Sequence, residues 1–147
     1  MKLEINNLVK IKIDKKFFST VAKKVLSGEN KKIKSLSLAL VDKEEMKKLN
    51  KKFRKKNKPT DVLSFELREP ENIDVGGNYL GEIVICPDVV KENARKYGVT
   101  IKQEMKRVFV HGILHLLGYN HEKFPGCNVS ELKKEAEIMK KKEKKYL

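Results

Sequence analysis

Cysteine is scarce in this 147-residue chain, which holds only Cys86 and Cys127. They form no CxxC pair, and in a reducing compartment both are expected as free thiols. Long apolar runs are missing too. No stretch approaches the ~20 residues of a membrane-spanning helix, and the N-terminus lacks the basic-then-apolar order of a signal peptide. A cytosolic protein is therefore expected, with no membrane span. Internal repeats and domain linkers are also absent, so one domain covering residues 1–147 around a single core is expected. Acidic residues are outnumbered, 20 against 34 Lys and Arg, for a formal charge of +14. An excess of that size favours a polyanionic partner, nucleic acid first and an anionic membrane surface second. Lysine far outnumbers arginine, so a lysine-rich compositional bias accounts for part of it.

Histidine is absent everywhere except in one stretch, His111-Gly112-Ile113-Leu114-His115-Leu116-Leu117-Gly118-Tyr119-Asn120-His121, which holds all 3. His111 and His115 are i and i+4 on an expected helix, about 40° apart around its axis. On a continuing helix His121 would point about 240° away from His115. Gly118 is the residue type that ends a helix in the left-handed conformation. A turn there lets His121 double back and complete a three-imidazole site. Three imidazoles with one open position form the ligand set of a catalytic zinc. A thiolate from Cys127 would close that position. The spacing equals that of the zinc peptidase pattern H-E-x-x-H-x-x-G-x-x-H, but Gly112 stands where the peptidase has its general-base Glu. That change argues against peptide hydrolysis and leaves the metal site intact.

Periodicity places the elements. Residues 8–13 (LVKIKI) alternate as a first strand. Phe17, Phe18, Val21, Ala22, Val25 and Leu26 recur at helical spacing up to Gly28. Residues 35–41 (SLSLALV) form a second strand. Asp42 and Glu45 open a short helix with Met46, Leu49 and Phe53 on its apolar stripe. Residues 51–58 (KKFRKKNK) carry no acid, and Pro59-Thr60-Asp61 turns into a third strand, residues 62–67. A loop follows over residues 68–78, with Pro70, Gly76 and Gly77. Residues 80–86 form a fourth strand, and a helix runs from Pro87 to Gly98. Thr100 and Gln103 make a capping box for the histidine helix, which is apolar nearly all round and so buried and central. Ser130 caps a last helix bearing Leu132, Ala136, Ile138 and Met139, followed by a lysine-rich tail, residues 140–145. An α+β fold is expected, a four-stranded mixed sheet packed with the buried histidine helix.

An anionic phosphodiester needs charge stabilisation as its pentavalent state forms, and arginine supplies a rigid fork of donors. Arg54 is the one arginine in the lysine run, and two readings stand: a phosphate-binding side chain or a solvated surface residue. Lys55, Lys56 and Lys58 flank it as candidate substrate contacts. Glu82, the one acid in the fourth strand, is a base, a partner of a metal ligand, or an outward solvated side chain.

Three segments carry a resemblance. HGILHLLGYNH is similar to H-G-x-L-H-L-x-G-Y-D-H. Leu49-Asn50, then Arg54, then Lys58-Pro59-Thr60-Asp61-Val62-Leu63-Ser64-Phe65 resembles a leucine-asparagine, basic, K-P-T-x-V-L-S-F segment. Leu80-Gly81-Glu82-Ile83-Val84-Ile85 matches L-G-[DE]-I-x-I. In this order they resemble the YbeY family of metal-dependent endoribonucleases, the rRNA maturation factors. The resemblance implies a zincin-like fold, with one zinc per chain on His111, His115 and His121. It implies cleavage of single-stranded RNA, a role in small-subunit rRNA processing including the three-prime end, and ribosome quality control. Ribosomal small-subunit or assembly proteins follow as partners. Arg54 matches the family's functional arginine, and His115 counts with it as catalytic. Asn120 departs from the family's Asp, which puts the tuning of His121 in doubt. Two other classes remain, a zincin-like metallopeptidase and a non-catalytic ribosome assembly factor with structural zinc.

Overall fold

The computed structural model describes residues 1–66, 79–119 and 129–147. Within them the order is β1 (Lys2–Asn7), α1 (Lys15–Gly28), β2 (Ser35–Leu40), α2 (Lys43–Arg54), β3 (Val62–Phe65), β4 (Tyr79–Ile85), α3 (Pro87–Tyr97), α4 (Ile101–Leu116) and α5 (Val129–Tyr146). This is the expected alternation of elements and an α+β architecture. The four strands form one mixed sheet in the order β1-β2-β4-β3. β1, β2 and β4 run parallel, and β3 pairs antiparallel with β4.

Alternation along the central strands sends side chains to two faces. Leu36, Leu38, Leu40, Ile83 and Ile85 turn to one face and pack with α1 residues Phe18, Val21 and Val25 and α4 residues Val108, Phe109 and Ile113. Ala39, Val41, Leu63 and Val84 turn to the other, where Met46 of α2 and Cys86 complete a smaller cluster. Helices therefore cover both faces of the sheet. β3 lies at its edge, so elements on opposite faces can meet around that strand.

The local caps act as the sequence suggested. Asp42 accepts from the Glu45 N–H at 2.8 Å. Thr100 and Gln103 satisfy each other's backbone N–H groups at 2.9 and 3.0 Å.

The other strands shift by a residue at their ends, with β3 ending at Phe65, and two boundaries differ further. The first strand is Lys2–Asn7, not residues 8–13; Leu8 is 59 % exposed, and the strand pairs Lys2 with Ser35 through Asn7 with Leu40. A strand is chosen by the partner it reaches as well as by its own alternation, and an edge strand with Leu3 and Ile5 on its apolar positions satisfies β2. Ser130 lies inside α5 instead of capping it, and the lysine-rich tail is helical up to Tyr146. The loop expected over residues 68–78 and residue 67 of the third strand lie outside the described residues.

Candidate active site

α4 buries most of its circumference, including Met105, Val108, Phe109, Gly112, Ile113, Leu114 and Leu116. The stripe left over is Arg107, His111 and His115, spaced i, i+4, i+8, and all three line one cleft of about 1070 Å³. The facing wall is the end of α2, with Phe53 and Arg54, followed by Lys56. Between the walls run Thr60, Asp61 and the length of β3 to Glu66, with Glu82 of β4. The edge position of β3 is what lets α4, on one face, share a cleft with α2, on the other.

The two imidazoles converge. His111 Nε2 and His115 Nε2 stand 3.0 Å apart. Two nitrogens each at 2.0–2.1 Å from one zinc at a tetrahedral angle stand roughly 3.3 Å apart, so the pair fits shared coordination. The other ring nitrogen of His111, Nδ1, is bonded to a carboxylate oxygen of Glu143 on α5. Both side chains are mostly buried, 19 % and 14 % exposed. A carboxylate accepting from Nδ1–H fixes the tautomer that presents the Nε2 lone pair to the cleft, the usual support of a metal-binding histidine.

The helix ends as the glycine predicted. Gly118 has φ +103°, its N–H bonds the His115 carbonyl at 3.0 Å, and the Tyr119 N–H bonds the Leu114 carbonyl at 3.0 Å. This is a Schellman stop, and it turns the chain immediately before His121. The Tyr119 hydroxyl then donates to Glu29 Oε1 at 2.6 Å, tying the turn to the end of α1. Glu29 also receives the Tyr146 hydroxyl and Lys142 Nζ from α5. Burial pushes the Glu29 carboxyl up, but the bonds from Tyr119, Tyr146 and Lys142 outweigh it and hold it below its usual range.

His121 itself, with Asn120 and Cys127, lies outside the described residues. Among the described residues no group of three His, Cys, Asp or Glu is gathered as a metal would need.

Gly112, which stands where the peptidase pattern has its glutamate, is closely packed. A Cβ there would meet the Ile83 side chain at 3.0 to 3.3 Å, with Ile83 fully buried. Its carbonyl also accepts from Ser64 Oγ at 3.1 Å. A side chain at position 112 would therefore require the buried Ile83 to shift by a few tenths of an ångström.

On the facing wall, α2 stops because Lys55 takes the left-handed conformation, φ 58°, with its N–H on the Lys51 carbonyl. The buried Asn50 donates Nδ2 to the Lys58 carbonyl at 2.7 Å and so pins the basic loop back on the helix. Of the candidate contacts, Arg54 and Lys56 line the cleft, whereas Lys55 and Lys58 are exposed outside its lining. Glu82 lines the cleft, against the reading of it as an outward solvated residue. Phe53, expected on the buried stripe of α2, is 55 % exposed in the cleft.

Glu143 and Arg107 were not among the candidates read from the sequence. Arg107 holds the buried Glu104 in a two-point pair, at 2.8 and 2.7 Å, and lies 3.5 Å from Asp61. The bond to Glu104 outweighs desolvation and raises the Arg107 pKa further, so it is a permanent cation one turn before His111. Its spacing of four from His111 was the signal that could have found it.

A model of the family described as Endoribonuclease YbeY matches residues 4–147. The chain belongs to the YbeY endoribonuclease family. An Endoribonuclease YbeY of Sulfurihydrogenibium sp. is 43 % identical over 112 residues, 75 % of this chain and 71 % of that protein. The Endoribonuclease YbeY of Aquifex aeolicus is 49 % identical over 89 residues, 60 % of this chain and 57 % of its own length. That of Bdellovibrio bacteriovorus is 44 % identical over 100 residues, 68 % of this chain and 61 % of its own length. Against the last two, the matched YbeY segment is thus less than two thirds of the relative. The YbeY fold also resembles the solution structure of TM1509 from Thermotoga maritima, with TM-score 0.59 and 32 % identity, covering 99 % of this chain and 86 % of that one.

Proposed function

We propose that this chain is a zinc-dependent endoribonuclease that cleaves single-stranded RNA. In this reading it acts in rRNA maturation, including the three-prime end of the small-subunit rRNA, and in ribosome quality control. Its partners are then precursor rRNA and small-subunit or assembly proteins. Family membership supports the nuclease. The observation that carries the site is the shared cleft: the paired Nε2 atoms of His111 and His115 face the same space as Arg54.

His111 and His115 would hold one zinc ion, with His121 as third ligand and a zincin-like arrangement of helix and turn. A zinc ion there supplies a nucleophile or base at neutral pH, because it lowers the pKa of bound water to about 7. The chain's own residues do the rest. Glu143 keeps the His111 ring in one tautomer. Arg54 binds the non-bridging phosphate oxygens and stabilises their growing charge. Lys56 holds a neighbouring phosphate, and Glu82, one of three carboxylates lining the cleft with Asp61 and Glu66, is available to take a proton. A peptidase reading lacks the general base, since Gly112 stands at its position.

The test is cleavage of a single-stranded oligoribonucleotide by zinc-loaded protein, with a chelator arm and zinc re-addition. His115→Ala should abolish cleavage. Arg54→Ala should lower kcat about 100- to 1000-fold, the scale of losing one charge-stabilising donor, with zinc content unchanged. Cleavage by Arg54→Ala at the wild-type rate and full zinc loading removes Arg54 from the chemistry. A 2′,3′-cyclic phosphate on the product would identify the ribose hydroxyl as the attacking group, and its absence would identify water.

A further inference from the structure

We propose that Phe53 is a stacking platform for one unpaired base beside the scissile phosphate. This rests on the endoribonuclease reading and gives it a structural source of single-strand preference. Seven other large apolar side chains, among the described residues, are exposed; Phe53 is the exposed one that lines the cleft. Its ring is held in place, edge-to-face with Phe65 of β3 at 4.9 Å between centroids and 66° between planes. Phe65 packs against the apolar cluster that Met46 and Leu49 join, so Phe53 sits at the margin of that cluster. A phenylalanine held there and 55 % open to solvent has surface to offer a ligand.

The surroundings select the ligand. Arg54 follows Phe53 directly, Lys56 lines the same cleft, and Lys52 Nζ lies 5.2 Å from the ring centroid. Cations beside an open aromatic ring match a nucleotide, with phosphate on the cations and base on the ring. An anionic lipid would meet the cations too, but its chains bring no flat face to stack on the ring. In a duplex both faces of a base are covered by its neighbours, so only an unstacked strand can place one on Phe53. Every base has such a face, so the subsite tolerates sequence and requires single-strandedness.

Two measurements test this, the first on zinc-loaded protein and the second on protein that binds without cleaving. The first is steady-state cleavage of a single-stranded oligoribonucleotide and of copies with one abasic residue at each position flanking the cut. In wild type, one abasic position should raise KM about 10- to 100-fold. Phe53→Ala should show the raised KM with the intact strand and no further loss with the abasic one, while Phe53→Tyr restores both. The second is quenching of 2-aminopurine placed at each position of the strand in turn, with His115→Ala as the binding background. Quenching should appear with Phe53 present and vanish in the Phe53→Ala, His115→Ala double variant.

The outcomes separate the two ideas. Wild-type cleavage with equal KM for every abasic copy, and with Phe53→Ala unchanged, overturns the platform and leaves the nuclease. Absence of cleavage with Phe53-dependent quenching overturns the nuclease and leaves the platform. Phe53→Leu, which keeps apolar bulk against Phe65, controls for folding; wild-type KM in that variant counts against the ring.

Discussion

Two segments of this chain look alike in composition and do opposite work. Residues 51–58 and 140–145 are both runs of lysine with few interruptions. In the first, α2 stops at Arg54 and a left-handed Lys55 turns the chain, so Arg54 and Lys56 fall into the cleft. In the second, the helix simply continues. Met139, Lys142, Glu143 and Tyr146 recur at i, i+3, i+4 and i+7 and turn toward the body of the protein, while Lys140, Lys141, Lys144 and Lys145 stay exposed. The first run delivers cations to the site. The second delivers a carboxylate to His111 and partners to Glu29. Composition alone does not tell the two segments apart; helical phase separates them.

The sharpest way to break the contrast is through Glu143, the one acid in the second run. Glu143→Ala should weaken zinc binding about 10- to 100-fold, the usual cost of removing a carboxylate that orients a metal-binding histidine. Glu143→Gln should lose less, because its amide oxygen still accepts from Nδ1–H. Competition against a chromophoric chelator measures both. Zinc affinity equal to wild type in Glu143→Ala would return α5 to the status of a solvated lysine helix.

A smaller effect sharpens the other side. Lys56→Ala should weaken binding to single-stranded RNA and reduce the slope of log affinity against log salt by about 0.7, one phosphate contact on a single strand. Lys141→Ala with Lys144→Ala should leave the slope close to wild type. Affinity titrations at several salt concentrations decide between them. A larger drop from the α5 pair than from Lys56 would mean that RNA crosses the C-terminal helix instead of the cleft.

How far the sequence could reach follows the same line between local and distant causes. Gly118 and the Thr100–Gln103 box act within a few residues of themselves, and both were legible. The strands whose alternation coincided with their pairing, β2 and β4, were legible too. β1 was misplaced because residues 8–13 alternate more strongly than KLEINN, while parallel pairing to β2 depends on a partner beyond a whole helix. The convergence of Arg54 with His111 and His115 was suspected from residue type and resemblance, but its cause is topological: β3 lies at the sheet edge between two covered faces. Glu143 meets His111 across 32 residues of sequence, and nothing local to either announces it. Phe53 was placed on a buried stripe because helical spacing says which face a residue shares, not where the covering layer ends.

The smallest predicted effect concerns the far end of the α5 clamp. Glu29 gathers Tyr119, which follows the helix stop, with Lys142 and Tyr146 of α5. Its carboxyl is held below the usual range despite burial, because these three donors favour the charged form. The unfolded chain has an ordinary Glu pKa of about 4.3, so the unfolded state binds the proton more readily. The stabilisation is therefore complete above about pH 4.3 and is lost as pH falls through the lower folded value. Thermal melts of wild type and Glu29→Gln should differ most at neutral pH and converge in acid, with the wild-type Tm falling more steeply below about pH 4.3. Parallel curves from pH 7 to pH 3 would mean that the Tyr119–Glu29–Tyr146 knot contributes shape to the histidine turn without charge.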